Sequence, residues 1–308
     1  MAEHLKLKNP VNERPQAAWG SIATELAGSQ TRFVKGERWT HRVIEKGDPE
    51  APPLFLYHGV GGYAEPYARV LPALSRDFRV FAVDALYHGY SSKEPWDPAN
   101  RTALQAAAYV DLIHALGYEK AIYEGESMGA SIGFEIGMLY PESLDKLILN
   151  GYGRVATKRT EWKKQPFKGD LYELSRAAVL DPSYENVQKR LWWLVHDNDD
   201  MNDEMIRMRM KIWSEPEVNA SLRRVFGVDG ADPREAAKPW TEEEVKAKWK
   251  VKDTLVVYGT YNPQRGPDYG EYGADLIGAK FYEFKDCGHW PMWESPDEYV
   301  EALRSYLL

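Results

Sequence analysis

The densest chemical signal in the sequence is a serine between glycines, Gly125-Glu126-Ser127-Met128-Gly129. A serine hydroxyl is a weak nucleophile. It reacts only when it projects clear of its neighbours, towards a base and towards donors for a carbonyl oxyanion. The run Lys120-Ala-Ile-Tyr-Glu124 reads as a strand leading into it, and the small-residue run Gly129 to Met138, stopped before Pro141, reads as the helix leading out. Side chains at 125 and 129 would collide with neighbouring elements, and Ser127 is expected in strained backbone geometry. Two other stretches supply what such a serine lacks. In His58-Gly59-Val60-Gly61-Gly62 a backbone N–H can help hold an oxyanion, which makes Val60 and Met128 the expected donors. Near the C-terminus, Cys287-Gly288-His289-Trp290 offers His289 as general base. Asp84 to Ser91 reads as a structural turn at the pocket floor, with His88 a turn residue.

These residues need a scaffold that brings distant segments together, and the apolar runs describe one. Leu54 to Tyr57, Val80 to Val83, Leu147 to Leu149 and Leu255 to Tyr258 are continuous rather than alternating, the pattern of strands covered on both faces. Lys280 to Phe284 alternates, and Thr31 to Gly47 suggests a hairpin turning near Lys35-Gly36. Helical patterns such as Thr102 to Leu116 lie between the runs, so the fold class is α/β, a mostly parallel doubly wound sheet. The rhythm breaks from about Tyr152 to Ala237, a Trp-rich, charged interval with amphipathic patterns at 169–179, 183–195 and 203–213. Some eighty residues of loop do not fit a compact domain, so this interval is expected to be an inserted helical cap. The organisation is then an N-terminal arm at 1–30, a core at 31–151 and 238–308, and a cap at 152–237.

Composition narrows the partners. The chain carries 39 Lys plus Arg against 47 Asp plus Glu, a net charge of −8 without a long basic run, which argues against nucleic acid. A single cysteine excludes an intrachain disulfide. No basic segment followed by an apolar one opens the chain, and no run approaches membrane-spanning length, so a soluble, cytoplasmic protein with a small-molecule substrate is expected. The histidines show no metal-ligand spacing, and neither metal nor cofactor is expected. A homodimer is left open.

With Gly125-Glu-Ser-Met-Gly129, Lys146-Leu-Ile-Leu-Asn-Gly151, Pro182-Ser-Tyr-Glu185 and Cys287-Gly-His-Trp-Pro-Met-Trp-Glu294 in view, the chain from about residue 50 resembles the α/β-hydrolase superfamily. Within it the chain looks like the meta-cleavage product hydrolases, which cleave carbon–carbon bonds of ring-fission products. The resemblance implies Ser127 as nucleophile, His289 as base, and Arg209 as the cap arginine that grips a substrate carboxylate. Gly59, Glu126 and Trp290 are expected at the substrate beside them.

Three departures accompany it. The glycine-rich turn is shorter than usual in that family and lacks its proline. Glu126 stands where the family usually has Asn, and a carboxylate there would repel an anionic substrate. The acid of the triad should lie three residues after Gly259, and that residue is Asn262. Asn262 is taken as the third member, with Asp268 and Asp286 as alternatives; Glu126 is set lower because the elbow should point it elsewhere. The reading is a cofactor-independent serine hydrolase of a small carbonyl substrate with an apolar or aromatic portion. Carbon–carbon, ester, lactone and amide hydrolysis share its chemistry. A degenerate hydrolase that binds a small molecule, or a lyase or cofactor-free oxygenase using the same base, are the competing readings.

Overall fold

The structure, a computed structural model, describes residues 1–308 except 16, 17, 153, 154, 231 and 237 and the side chains of 234 and 235, so the expected end of the cap at 237 lies outside the described residues. Eleven strands occur among the described residues. They are β1 (Glu3–His4), β2 (Gln30–Lys35), β3 (Thr40–Lys46), β4 (Pro53–Tyr57), β5 (Arg79–Val83) and β6 (Ala121–Glu126). β7 (Leu144–Asn150), β8 (Val155–Ala156), β9 (Trp240–Thr241), β10 (Thr254–Gly259) and β11 (Lys280–Phe284) complete the set.

Nine of them form one sheet in the order β1-β11-β10-β7-β6-β4-β5-β3-β2, while β8 and β9 pair separately. From β1 to β5 every pairing is parallel; β3 joins β5 antiparallel, and β2 closes the edge as the expected hairpin. The continuous apolar runs have the reason anticipated for them. Leu54, Leu56, Ile122 and Ile148 face one core, and Phe55, Tyr57, Tyr123 and Leu149 face the other, so successive residues of one strand are buried on opposite sides.

Helices cover both faces. Arg101–Ala115 and Met128–Leu139 supply Tyr109, Leu112, Ile132 and Ile136 to one side. The C-terminal helix Pro296–Leu307 supplies Tyr299 and Leu303 to the other. Between β7 and β10 the chain departs from the sheet into the helices Leu171–Leu180, Tyr184–Trp192, Asp203–Ser214 and Pro216–Val225. Asp170 accepts from the N–H groups of Tyr172 and Glu173, Asn202 accepts from that of Met205, and Pro216 opens the last of the four where no N–H is needed. These helices share their core with the sheet: Val187, Leu191, Trp193, Met205 and Trp213 belong to the same buried cluster as Phe284, Trp290 and Trp293. The N-terminal segment is tied down more firmly than expected of an arm. β1 adds a strand beside β11, Lys8 N–H donates to Ser305 Oγ at 2.8 Å, and Arg14 grips Asp297 at 2.8 Å.

In this topology the loops after β4, β6, β7, β10 and β11 all leave the same edge of the sheet, the carboxyl ends of parallel strands, where ligands collect in α/β folds. Gly59-Val60, Ser127, Gly151, Asn262 and His289 stand on those loops in that order.

Candidate active site

Ser127 follows β6 directly and precedes the helix Met128–Leu139, with φ 55° and ψ −107°, a conformation that L-residues avoid. The glycines permit it. A Cβ on Gly125 would lie 2.2 Å from the Gly129 carbonyl oxygen, and one on Gly129 would lie 2.2 Å from that of Tyr57. Ser127 N–H donates to Asn150 O at 2.7 Å, which ties the turn to the end of β7. The first N–H groups of the following helix, Met128 among them, have no carbonyl four residues back within it to receive them.

That turn is held by His58. Ala85 N–H donates to His58 Nε2 at 3.0 Å, so the proton sits on Nδ1 and is donated to Gly59 O at 2.7 Å. Burial lowers the imidazole to about 4 and keeps it in this neutral form. Asp84 accepts from Ala64 N–H and Tyr90 N–H, both at 2.8 Å, and meets Arg42 at 3.3 Å, so the Asp84 to Ser91 segment is the structural turn expected of it.

His289 is 2 % exposed and stands on a loop organised by a half-buried glutamate. Glu294 accepts from the N–H groups of Gly288 at 2.9 Å, Trp290 at 3.0 Å and His196 at 2.6 Å. His289 N–H in turn donates to Leu194 O at 2.7 Å, and its ring meets Trp193 edge-on at 5.2 Å. The histidine loop is therefore fastened to the inserted helices as well as to the sheet. Gly151 lies beside both residues: a Cβ there would make only ordinary contact, 3.7 Å from Ser127 Cα and 3.8 Å from His289 Cε1, and it is the φ of 95° that favours glycine.

The carboxylate beside the imidazole is Glu126. Its Oε1 lies 3.1 Å from His289 Nε2, and the two side chains are 1 % and 2 % exposed. This corrects the expectation that the elbow points Glu126 elsewhere. Because Glu126 ends β6 two residues after buried Glu124, its side chain takes the same face, and it lies where Gly59 has no side chain: a Cβ on Gly59 would come within 2.4 Å of Glu126 Oε2.

The residues nominated as the acid stand otherwise. Asn262 is 2 % exposed, but its Oδ1 accepts from Gln264 N–H at 3.1 Å, and among the described residues neither ring nitrogen of His289 makes a hydrogen bond, the approach of Glu126 to Nε2 being a charge contact without hydrogen-bond alignment. Asp268 is engaged by Arg159 at 2.7 Å. Asp286 is exposed on a turn at φ 51°.

Two arginines close the inner end. Arg209, on the helix Asp203–Ser214, donates to Gly61 O at 3.2 Å and lies 4.9 Å from the Tyr63 ring and 5.7 Å from that of Trp290. Arg190, on the helix Tyr184–Trp192, donates through Nε to Ser175 Oγ at 2.7 Å and through Nη2 to Val60 O at 3.3 Å. Both are 1 % exposed, and Arg190 Nη1 with Arg209 Nε and Nη2 have no hydrogen-bond partner. Burial, and then the charge of Arg209, pulls the Arg190 guanidinium down to about 9. That is the electrostatic cost of two cations in one dry site, and a bound anion relieves it.

With Gly59, Glu126, Ser127, His289 and Trp290 these arginines line an inner cavity of about 10 Å³, room for roughly one water. On its other side Ser127 opens to a cleft of about 1200 Å³ whose walls include Tyr152, Trp162, Tyr172, Trp193 and Tyr269. Val60 borders both spaces. Among the described residues no group of three His, Cys, Asp or Glu is placed to hold a metal, and no helix is long and apolar enough to cross a membrane.

Sequence reasoning did not single out Arg190, Trp193, Gly151 or Glu294 for roles. Arg190 sits in Lys189-Arg190-Leu-Trp-Trp193, where a cation beside an apolar run is ordinarily solvated, and nothing local marks it as buried.

Comparison with known proteins accords with this architecture. Residues 52–296 match the family model for the alpha/beta hydrolase fold. The chain is similar to a 2-hydroxy-6-oxo-6-phenylhexa-2,4-dienoate hydrolase of Comamonas testosteroni, 28% identical over 268 residues that cover 85% of this chain and 89% of the relative. The solved structure of the hydrolase of that name from Rhodococcus sp. strain RHA1 superposes with a TM-score of 0.74 at 20% identity, over 90% of this chain and 99% of that one. A carboxylesterase from Bacillus subtilis superposes with a TM-score of 0.67 at 20% identity, over 93% of this chain and 95% of that one. The chain belongs to the alpha/beta hydrolase fold family and is a hydrolase-fold enzyme.

Proposed function

We propose that this enzyme is a cofactor-independent serine hydrolase of a carboxylate-bearing carbonyl compound with an aromatic or apolar portion, and that the bond it breaks is carbon–carbon, as in a meta-cleavage-type product. The observation that carries the reading is Ser127 on its strained turn between an aromatic cleft and a cavity containing His289 and two arginines with unpartnered N–H groups. The carboxylate goes to Arg209 and Arg190, the inner cavity widening past its room for about one water to admit it; the two guanidinium charges outweigh the single carboxylate of Glu126, so the repulsion expected from Glu126 does not decide the site. Residues 152–237 act as the cap over the core at 31–151 and 238–308.

In the reaction, Ser127 Oγ attacks the carbonyl carbon while His289 takes the hydroxyl proton. The N–H groups of Val60 and Met128 hold the developing oxyanion. Glu126 supplies the negative charge that Asn262 lacks and stabilises the imidazolium. When the intermediate collapses, the carbon–carbon bond breaks. For its electron pair to be conjugated the substrate reacts as its keto tautomer, the enol proton having moved to the carbon next to the reacting carbonyl; the pair then passes into the enone of the carboxylate-bearing fragment, and His289 returns its proton to the resulting dienolate. Water, deprotonated by His289, then releases the acyl group from Ser127. Hydrolysis of an ester differs only in an oxygen leaving group, and the resemblance to a carboxylesterase keeps that reading beside the first. A panel of dienol diketones, aryl esters and lactones tests the choice. Release of the dienoate and acid from a dienol diketone with kcat/KM well above that for the esters is expected, and the reverse order replaces the carbon–carbon reading with esterase.

A further inference from the structure

Five arginines are buried among the described residues: Arg42, Arg69, Arg101, Arg190 and Arg209. Arg42 is paired with Glu65 and Asp84, and Arg69 donates to the Trp293 carbonyl and lies 3.7 Å over its ring. Arg190 and Arg209 face the inner cavity. Arg101 alone is left without an account. It is 7 % exposed, forms no hydrogen bond or ion pair among the described residues, and has Nη1 buried and unpartnered. A guanidinium taken out of water without a counter-charge is costly, and it persists where something else supplies the charge.

Its position says what that is. Arg101 lines the outer cleft with Thr102, Ser131 and Met128, on the wall built by the helices Arg101–Ala115 and Met128–Leu139, whereas the two inner arginines line the inner cavity, and Ser127 borders both spaces. The same cleft carries Arg159, Lys163, Lys164 and Arg265 against one acid, Asp170. Arg159 is paired with Asp268, and the charge of Asp170, which caps the helix Leu171–Leu180, is outnumbered by those of Arg101, Lys163, Lys164 and Arg265. The cleft remains cationic in a chain of net charge −8, the arrangement that draws anions into a site.

We propose that Arg101 is a second anion subsite and that the substrate is a dianion: one carboxylate lies at Arg190 and Arg209, the reacting carbonyl at Ser127, and a second acidic group, at the far end of the molecule, on the Arg101 fork. This rests on the reading of Ser127 as the reacting centre and of the inner arginines as the first carboxylate's site. It makes Arg101 a specificity-determining residue.

Calorimetric titration with α,ω-diacids from succinate to suberate, each against the monoacid of equal length, tests this without relying on turnover. At least one diacid is expected to bind about 10-fold or more tighter than its monoacid, the size of a charge-assisted contact. Arg101→Gln is expected to abolish that preference while monoacid binding persists, and Arg101→Lys, which keeps the charge and loses the fork, to retain part of it. If no diacid of any length outbinds its monoacid, or if Arg101→Gln leaves the preference intact, the subsite is refuted. The wild-type series decides even if the variants fail to fold. Failure of Ser127 to react with a fluorophosphonate would instead refute the hydrolase reading and leave the binding result standing.

Discussion

Glu126 Oε1 lies 3.1 Å from His289 Nε2, both groups are sealed from solvent, and the carboxylate comes from the residue next to the nucleophile rather than from the loop after β10. At that loop Asn262 can accept a hydrogen bond but brings no charge. Its oxygen is turned to Gln264 N–H instead.

Glu126→Gln keeps the shape and removes the charge. In a serine protease triad the loss of the carboxylate charge lowers turnover by ~10⁴, and a fall of roughly 10² to 10⁴ is expected here, with Glu126→Asp retaining part of the activity. Wild-type turnover in Glu126→Gln would show that Glu126 only fills space.

Two glycines should fail in different ways. Gly125→Ala drives a Cβ to 2.2 Å from a backbone oxygen that cannot move, whereas Gly59→Ala meets the end of the Glu126 side chain at 2.4 Å. The first is expected to cost about 1–3 kcal/mol of stability or more. The second should leave the melting temperature closer to wild type yet lower turnover disproportionately by displacing Glu126. Thermal melts and initial rates on both variants decide it, and equal stability losses would contradict the argument.

Glu124 makes stability depend on pH. It is fully buried against Tyr67 Oη at 2.9 Å, and burial raises its carboxyl to about 8. An unfolded glutamate titrates near ~4.3. Between those two values the folded protein holds a proton that the unfolded chain has lost, so this group's contribution to stability falls as pH rises through that window. Glu124→Gln should flatten the decline of melting temperature between about pH 5 and pH 8 relative to wild type. An identical slope in the variant would show that Glu124 is ionised in the fold.

Much of this was legible in the sequence, for identifiable reasons. Strands buried on both faces must be apolar throughout, so β4, β5, β7 and β10 announced themselves, and the elbow did so because steric exclusion at 125 and 129 leaves few residues to choose from. What could not be read depends on tertiary closeness. Glu126 meets His289 because Gly59, sixty-seven positions away, leaves the space empty. Arg190 and Arg101 look like ordinary surface cations on amphipathic helices until the packing of other segments buries them. Glu294 acts through three N–H groups whose convergence only the folded loop creates.

Arg209→Ala tests the inner carboxylate site. Loss of a charged hydrogen bond costs about 1.5–3 kcal/mol, so kcat/KM for a carboxylate-bearing substrate should fall about 10- to 150-fold further than for a neutral aryl ester. Equal losses on the two would assign Arg209 to holding Gly61 and the helix that carries it, and not to the ligand.

The central claim is that Ser127 is a nucleophile activated by His289, and reaction with a fluorophosphonate followed by intact mass and peptide mapping tests it most directly. One adduct on Ser127 is predicted, absent in Ser127→Ala and slowed about a thousandfold in His289→Ala, with turnover of Ser127→Ala reduced by a similar factor or more. An unlabelled wild-type protein, or a Ser127→Ala variant that keeps more than about a tenth of the turnover, would contradict the account.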